Sequence, residues 1–395
     1  MEVQNTRQFT FETFFLIFVT VGYVLFSSFA IPLGIENTRI FAVPYRVAVA
    51  LFSVYFIIKG FPRLKSAALP VTSIIIFWAL YFLKCLYSFN NDSYEPKVLS
   101  QANETYIRIL LIAFLPSVAL VMMDYAKVNL KTAALWCFRV LFFMLLLNAA
   151  YGLANMENGR MPHIFSIYYI SYGHLGTSLV LISLFFLLFK KDNQWRWLWI
   201  CGILLGCYII VEGFARSPFL AMVVCTLVLL VIKRKIKYIL IFVLLLVLVI
   251  AAIYISVKTG SNTLIFAERV YRWLFEGDNS LRTPLFQRAV SIFTEHPLLG
   301  GRVLYEDGTY PHNLFLELLM SSGIIGFIFY FAKFIPLFDT GKYFFKNGGN
   351  NYHNVFFLLF LQYLTLVMTS YSLIGTPEFI HLSAVVIGLS LNNKK

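Results

Sequence analysis

Four arginines and one histidine are the groups in this chain best equipped for chemistry. They are Arg216, followed by Ser217; Arg282, Arg288 and Arg302, in a polar segment; and His312, followed by Asn313. A guanidinium stays charged and donates paired hydrogen bonds in one plane, which suits it to concentrated negative charge. An imidazole titrates near neutrality and can take a proton, typically worth about 10²–10⁴-fold in rate. The set therefore combines cations able to hold an anion with a base able to deprotonate a hydroxyl. No acidic cluster or Cys/His spacing suggests a metal site, and no cofactor motif is present, so none of either is expected.

The elements around these residues are apolar. Hydrophobic residues make up 59% of the 395 and charged residues 13%, where a soluble domain carries about 25% charged residues. Mean hydropathy is +0.77. A spanning helix needs about 20 mostly apolar residues. Twelve segments qualify, near 11–33, 40–58, 67–89, 105–123, 132–154, 166–189, 198–214, 216–232, 238–257, 313–338, 353–371 and 378–391. Backbone polar groups find no water in lipid, so these segments should be helices. The expected fold is an all-α polytopic membrane protein of about 12 transmembrane helices. It forms a single transmembrane domain, 1–395, with one large loop inserted at 258–311. The first apolar stretch reads as a span rather than a cleavable signal. All five cysteines fall within spans and read as small buried hydrophobes.

Basic residues in short loops set the orientation. With the N-terminus and every second loop assigned to the cytoplasm, that side collects 17 basic residues against four acidic ones. The whole net charge of +13 then lies on one face, both termini are cytoplasmic, and the long loop is on the far side. Topology thus accounts for the basic balance without nucleic acid.

Within the loop, helical composition marks 266–275 and 285–293, the second ended by Glu295-His296-Pro297. Charges inside spans are costly, by roughly 2.5–3.5 kcal/mol at a helix centre. Arg46, Lys84, Arg108, Glu212 and Arg216 gather toward the loop face and suggest a shared cavity, while Arg139 and Lys333 suit snorkelling at the other face. His163 and His174 could reach substrate; His296, His353 and His381 read as structural.

Three stretches carry a resemblance. They are Gly213-Phe-Ala-Arg216-Ser217-Pro218; Leu281-Arg282-Thr283-Pro284 through Arg288 to Glu295-His296-Pro297-Leu-Leu-Gly300; and Pro311-His312-Asn313-Leu-Phe-Leu-Glu317, then Ser322-Gly323-Ile-Ile-Gly326. In order and spacing, over roughly 210–330, they resemble the O-antigen polymerase and O-antigen ligase family of bacterial inner-membrane glycosyltransferases. Two departures are visible: Pro218 follows the Arg-Ser turn, and Gly300-Gly301-Arg302 stands where the family has glycine-x-glycine.

The resemblance implies a GT-C-like fold and metal-independent glycosyl transfer at the periplasmic face of the inner membrane. The implied donor is an undecaprenyl-diphosphate-linked oligosaccharide. Membrane lipid and a chain-length regulator are the other implied partners. By position, His312, Arg216 and Arg282 match catalytic residues. Arg288, Arg302, Arg108, Glu212 and Asn313 are expected to bind substrate. The favoured activity is an O-antigen polymerase of lipopolysaccharide biosynthesis. The alternatives are the ligase that uses lipid A-core as acceptor, a related transferase to protein, and a transporter or flippase of lipid-linked sugars. A transporter would have charges spread through its depth and broken helices near the midplane.

Overall fold

The computed structural model describes residues 9–28, 32–35, 39–155, 168–190, 195–260, 265–277, 282–338 and 351–392. His163, Leu281 and the basic residues at 7, 191, 342, 346, 394 and 395 lie outside them. The regular structure of the described residues is helical, and each of the twelve apolar segments forms a helix. Among the described residues, seven helical runs are long and apolar enough to cross a membrane. One of them, 53 residues long, contains two helices, Arg39–Gly60 and Leu64–Asn91, joined by a single tight turn at Phe61–Arg63. Three shorter apolar helices, Phe11–Ser27, His353–Thr369 and Pro377–Asn392, complete the bundle with Arg196–Glu212. This is a multi-pass, all-α membrane protein.

Tyr169–Phe189 runs through the middle of the bundle, 83% of its apolar window enclosed by protein. It meets Arg196–Glu212 at a glycine-to-glycine crossing, where a Cβ on Gly176 would stand 2.7 Å from the Gly206 carbonyl oxygen. Small residues let helix backbones approach this closely, which is how helices associate without a hydrophobic drive in lipid. Ile236–Lys258 is the opposite case: apolar on every side and only 6% enclosed, it faces lipid around most of its circumference.

The segment expected as one span at 105–123 is more elaborate. It runs from Pro96 to Met122 and widens into a π-helix over Arg108–Phe114. The cause is local. Pro116 has no N–H to give the carbonyl of Ile112, and that carbonyl instead accepts from His381 Nε2 at 2.8 Å. His381, expected to be bland, therefore ties the last helix to this defect.

Contacts sort into two ends, as alternating spans require. At one end Lys59 pairs with Glu12 at 2.8 Å, and Arg63 pairs with Asp124 at 3.2 Å and donates to Asn392 at 3.0 Å. At the other, Glu95 N–H donates to the Glu306 carbonyl at 2.9 Å and Arg302 to the Ser93 carbonyl at 2.7 Å. The inserted loop contributes two helices, Ile265–Phe275 and Arg282–Glu295, both a little longer than composition predicts.

The segment after the second loop helix enters the bundle. Leu314–Ala332 breaks at Gly323, where φ is 63°. Past the break, Ile324 N–H donates to the Pro297 carbonyl at 2.9 Å and Ile325 N–H to the Leu298 carbonyl at 3.2 Å; Gly301 N–H donates back to the Met320 carbonyl at 2.9 Å. These three exchanged bonds keep polar backbone at the break paired within the protein, the condition for irregular backbone at membrane depth. Side chains would prevent it: a Cβ on Gly300, itself at φ 72°, would lie 2.5 Å from Ser321 backbone, and one on Gly323 2.4 Å from Leu298 backbone. The glycines of the two motifs are thus packing partners.

Candidate active site

Three elements border one cavity of about 610 Å³ at the loop end of the bundle. The turn 213–215 delivers Arg216 as the first residue of Arg216–Lys233, with Phe214 at φ 47°. The loop helix presents Arg282 from its first turn. The segment before Leu314–Ala332 supplies Tyr310 and His312. A smaller adjoining cavity of about 310 Å³ is shared by Arg216 and Arg282 with Trp273 and Phe286. The two arginines and the histidine singled out by sequence thus meet around one space.

His312 is held in a defined state. Its backbone lies at φ 56°, a region costly for a residue with a side chain and often found at functional sites. Its Nδ1 bonds the carbonyl of Ser370 at 2.5 Å. A carbonyl can only accept, so Nδ1 carries the proton and, in the neutral ring, Nε2 keeps a free lone pair. Burial lowers the His312 pKa below the ordinary histidine value and the Arg282 charge lowers it further, against an upward pull from the Ser370 hydrogen bond. The lowered pKa favours the neutral ring, the form able to accept a proton. The Tyr310 ring packs 4.4 Å away, centroid to centroid.

The neighbours of His312 fix its place. Asn313, expected to bind substrate, caps Leu314–Ala332: its side-chain oxygen accepts from the Phe315 and Leu316 N–H groups at 3.1 and 3.2 Å, and its amide donates to the Met368 carbonyl at 3.4 Å. One turn on, the buried Glu317 carboxylate accepts the Leu373 N–H with both oxygens, at 3.1 and 3.0 Å. Glu317 thereby anchors the 370–376 connection that carries the Ser370 carbonyl.

One cation was missed by sequence reasoning. Arg269, from the first loop helix, also borders the cavity and donates to the Phe214 carbonyl at 3.0 Å, bracing the Arg216 turn. The amphipathic pattern of Ile265–Phe275 was a usable signal, because its apolar face is buried by Phe266, Ala267, Val270 and Tyr271. Tyr168, Tyr169 and Tyr371 complete the wall. Among the described residues lining the cavity there is no carboxylate. Three guanidinium groups bordering one partly enclosed space favour a positive potential there.

The other expected residues lie elsewhere. Arg288 and Arg302 both pair with Glu306 on a neighbouring polar cavity. Arg108 pairs with Glu104 at 2.7 Å, which also takes Arg46 at 3.3 Å and Arg39 at 3.2 Å. Arg46 and Arg108 line a more enclosed, largely apolar chamber of about 250 Å³ that shares Tyr168 and Tyr371 with the His312 cavity. Glu212 ends Arg196–Glu212 and lines neither space. The five charges expected to share one cavity are therefore divided: Arg46 and Arg108 are drawn to Glu104, Lys84 to the Gly300 carbonyl, and Arg216 alone borders the His312 cavity. Lys333 does not snorkel either: it is only 3% exposed, with its ammonium 3.7 Å from the Tyr330 ring centroid. His174 is buried within the bundle, 3.4 Å from the Ser217 hydroxyl.

Fold and site together describe a polytopic membrane protein with an arginine-rich cavity and a single poised imidazole at one end. Residues 201–331 match the family model described as O-antigen ligase. The match begins within Arg196–Glu212 and ends within Leu314–Ala332, so it includes Arg216, Arg269, Arg282 and His312. No curated protein matches the chain.

Proposed function

We propose that this protein is a surface-polysaccharide polymerase, joining glycan repeat units carried on undecaprenyl diphosphate at the periplasmic face of the inner membrane. The observation that carries the reading is the meeting of Arg216, Arg282 and His312 on one cavity. A hydroxyl of the acceptor glycan attacks the anomeric carbon of the donor. A new glycosidic C–O bond forms as the bond from that carbon to the phosphate oxygen breaks, and polyprenyl diphosphate leaves. The hydroxyl proton passes to His312 Nε2. Charge growing on the diphosphate is held by Arg216 and Arg282, with Arg269 bordering the same space. Preorganised donors of this kind act where charge develops and are worth about 10²–10³-fold each.

The ligase reading uses the same donor chemistry with lipid A-core as acceptor, and the matched family model is compatible with either. A lipid-linked sugar transporter predicts broken helices, and Leu314–Ala332 is broken. Its break is filled by the protein's own 297–301 segment, so it offers little to a transported solute. A deletion strain separates the readings. Loss of a polymerase leaves lipopolysaccharide with core plus one repeat. Loss of a ligase leaves bare core with glycan stranded on the carrier. Loss of a flippase leaves that glycan on the cytoplasmic side.

A further inference from the structure

Beyond the His312 cavity, the far side of the same loop helix carries a second built surface. Arg282 and Phe286 face the His312 side and Arg288, Ser291 and Glu295 the other, with Leu285 and Ile292 stacked along the edge between them, as a period of 3.6 dictates. That other face opens on a polar cavity of about 360 Å³ that includes Arg302 and Glu306. Through Asp92, His296 and Gly301 it continues into a cavity of about 490 Å³ whose walls are Leu80, Leu83, Lys84, Tyr87 and Leu299.

Chemistry changes in order along this groove. Its membrane end is apolar, with Leu83 60% and Leu299 57% exposed on the bundle surface. Lys84 follows, donating to the Gly300 carbonyl at 2.7 Å and retaining two further N–H donors. The water end holds Arg288 over the Tyr305 ring at 4.6 Å, Arg302 over the Tyr94 ring at 4.8 Å, and Glu306 between the two arginines. Arg302 Nε is buried there without a hydrogen-bond partner. Apolar wall, cation, then fixed polar groups beside aromatic rings is the order tail, phosphate, sugar.

We propose that this groove is the acceptor site, binding a second anionic glycolipid whose sugar head rounds the Arg282–Glu295 helix to present its hydroxyl to His312. The inference rests on the glycosyl-transfer reading above and adds to it a place for the second substrate. Lys84 meets the phosphate neck, and Arg302 and Glu306 meet the sugars. A polyprenyl-diphosphate glycan and a lipid A-core share this chemistry, and occupancy by one or the other is what separates polymerase from ligase.

The test uses the full chain in vesicles with photoreactive analogues of polyprenyl-diphosphate glycan, lipid A-core or phosphatidylglycerol. Labelling of 80–87 and 291–302 by either glycolipid, competed by its unlabelled form, is the expected result. The polyprenyl analogue supports a polymerase acceptor and lipid A-core a ligase acceptor. Lys84→Met should weaken that labelling about tenfold, as loss of a charged hydrogen bond implies, while labelling at 216–220 is unchanged. Equal labelling by phosphatidylglycerol, or glycolipid labelling confined to the His312 cavity, would overturn the proposal. Transfer is scored separately from product size. A groove that labels in a chain that never moves a glycan sinks the functional reading alone, and transfer without groove labelling sinks only the acceptor site.

Discussion

In the proposed reaction His312 and the two arginines have different roles, and substitutions should separate them. Arg216→Lys and Arg282→Lys keep the charge but lose the planar fork, so transfer should fall about ten- to a hundredfold with donor in excess. Near-wild-type turnover in both lysine variants would reduce the arginines to anchors of the loop. The imidazole must be neutral to accept a proton. Its pKa is depressed by burial and then by Arg282, so the active form persists below the ordinary histidine range and the rate should fall only as pH drops through the lowered value. Removing the Arg282 charge raises that pKa. In Arg282→Gln the His312 ring, followed by NMR titration, should therefore protonate at higher pH than in the wild type. A titration moved the other way, or unmoved, contradicts the electrostatic coupling.

At the scale of elements, the site depends on three backbone arrangements: a helix cap, a broken helix and a connection pinned by Glu317. Asn313→Ala should cost about 1 kcal/mol through loss of the cap. Asn313→Ser, which keeps a capping oxygen, should hold both melting temperature and turnover near wild type. A stable but inactive serine variant would return Asn313 to substrate binding. Gly300→Ala and Gly323→Ala meet two obstacles, a left-handed backbone costing roughly 1–2 kcal/mol and a Cβ within 2.5 Å of backbone atoms. Each should lower the thermal midpoint in detergent and displace the 297–301 segment from the break. Unchanged midpoints would mean the segment is not held as described. These features were only partly legible in the chain. Helical composition marked both loop helices, whereas the insertion of 297–301 into Leu314–Ala332 joins two motifs through main-chain hydrogen bonds that no side-chain pattern encodes.

Across the described residues, hydropathy alone located a helix at each of the twelve apolar segments, because lipid leaves a spanning backbone few other options. It could not show how their charges pair. Arg108–Glu104 and Arg302–Glu306 are four residues apart, but Arg46 and Arg39 reach Glu104 from another helix and Arg288 reaches Glu306 from the loop helix. The Ser370 carbonyl that sets the His312 tautomer was equally hidden, since a backbone oxygen leaves no mark on composition. The most direct test of the account is transfer by the purified full chain between two defined undecaprenyl-diphosphate repeat units, read as product length and released carrier. Wild type should lengthen the glycan and release one polyprenyl diphosphate per bond formed, and His312→Ala, still folded and inserted, should lose about 10²–10⁴-fold of that rate. Undiminished elongation by His312→Ala would contradict the account at its centre.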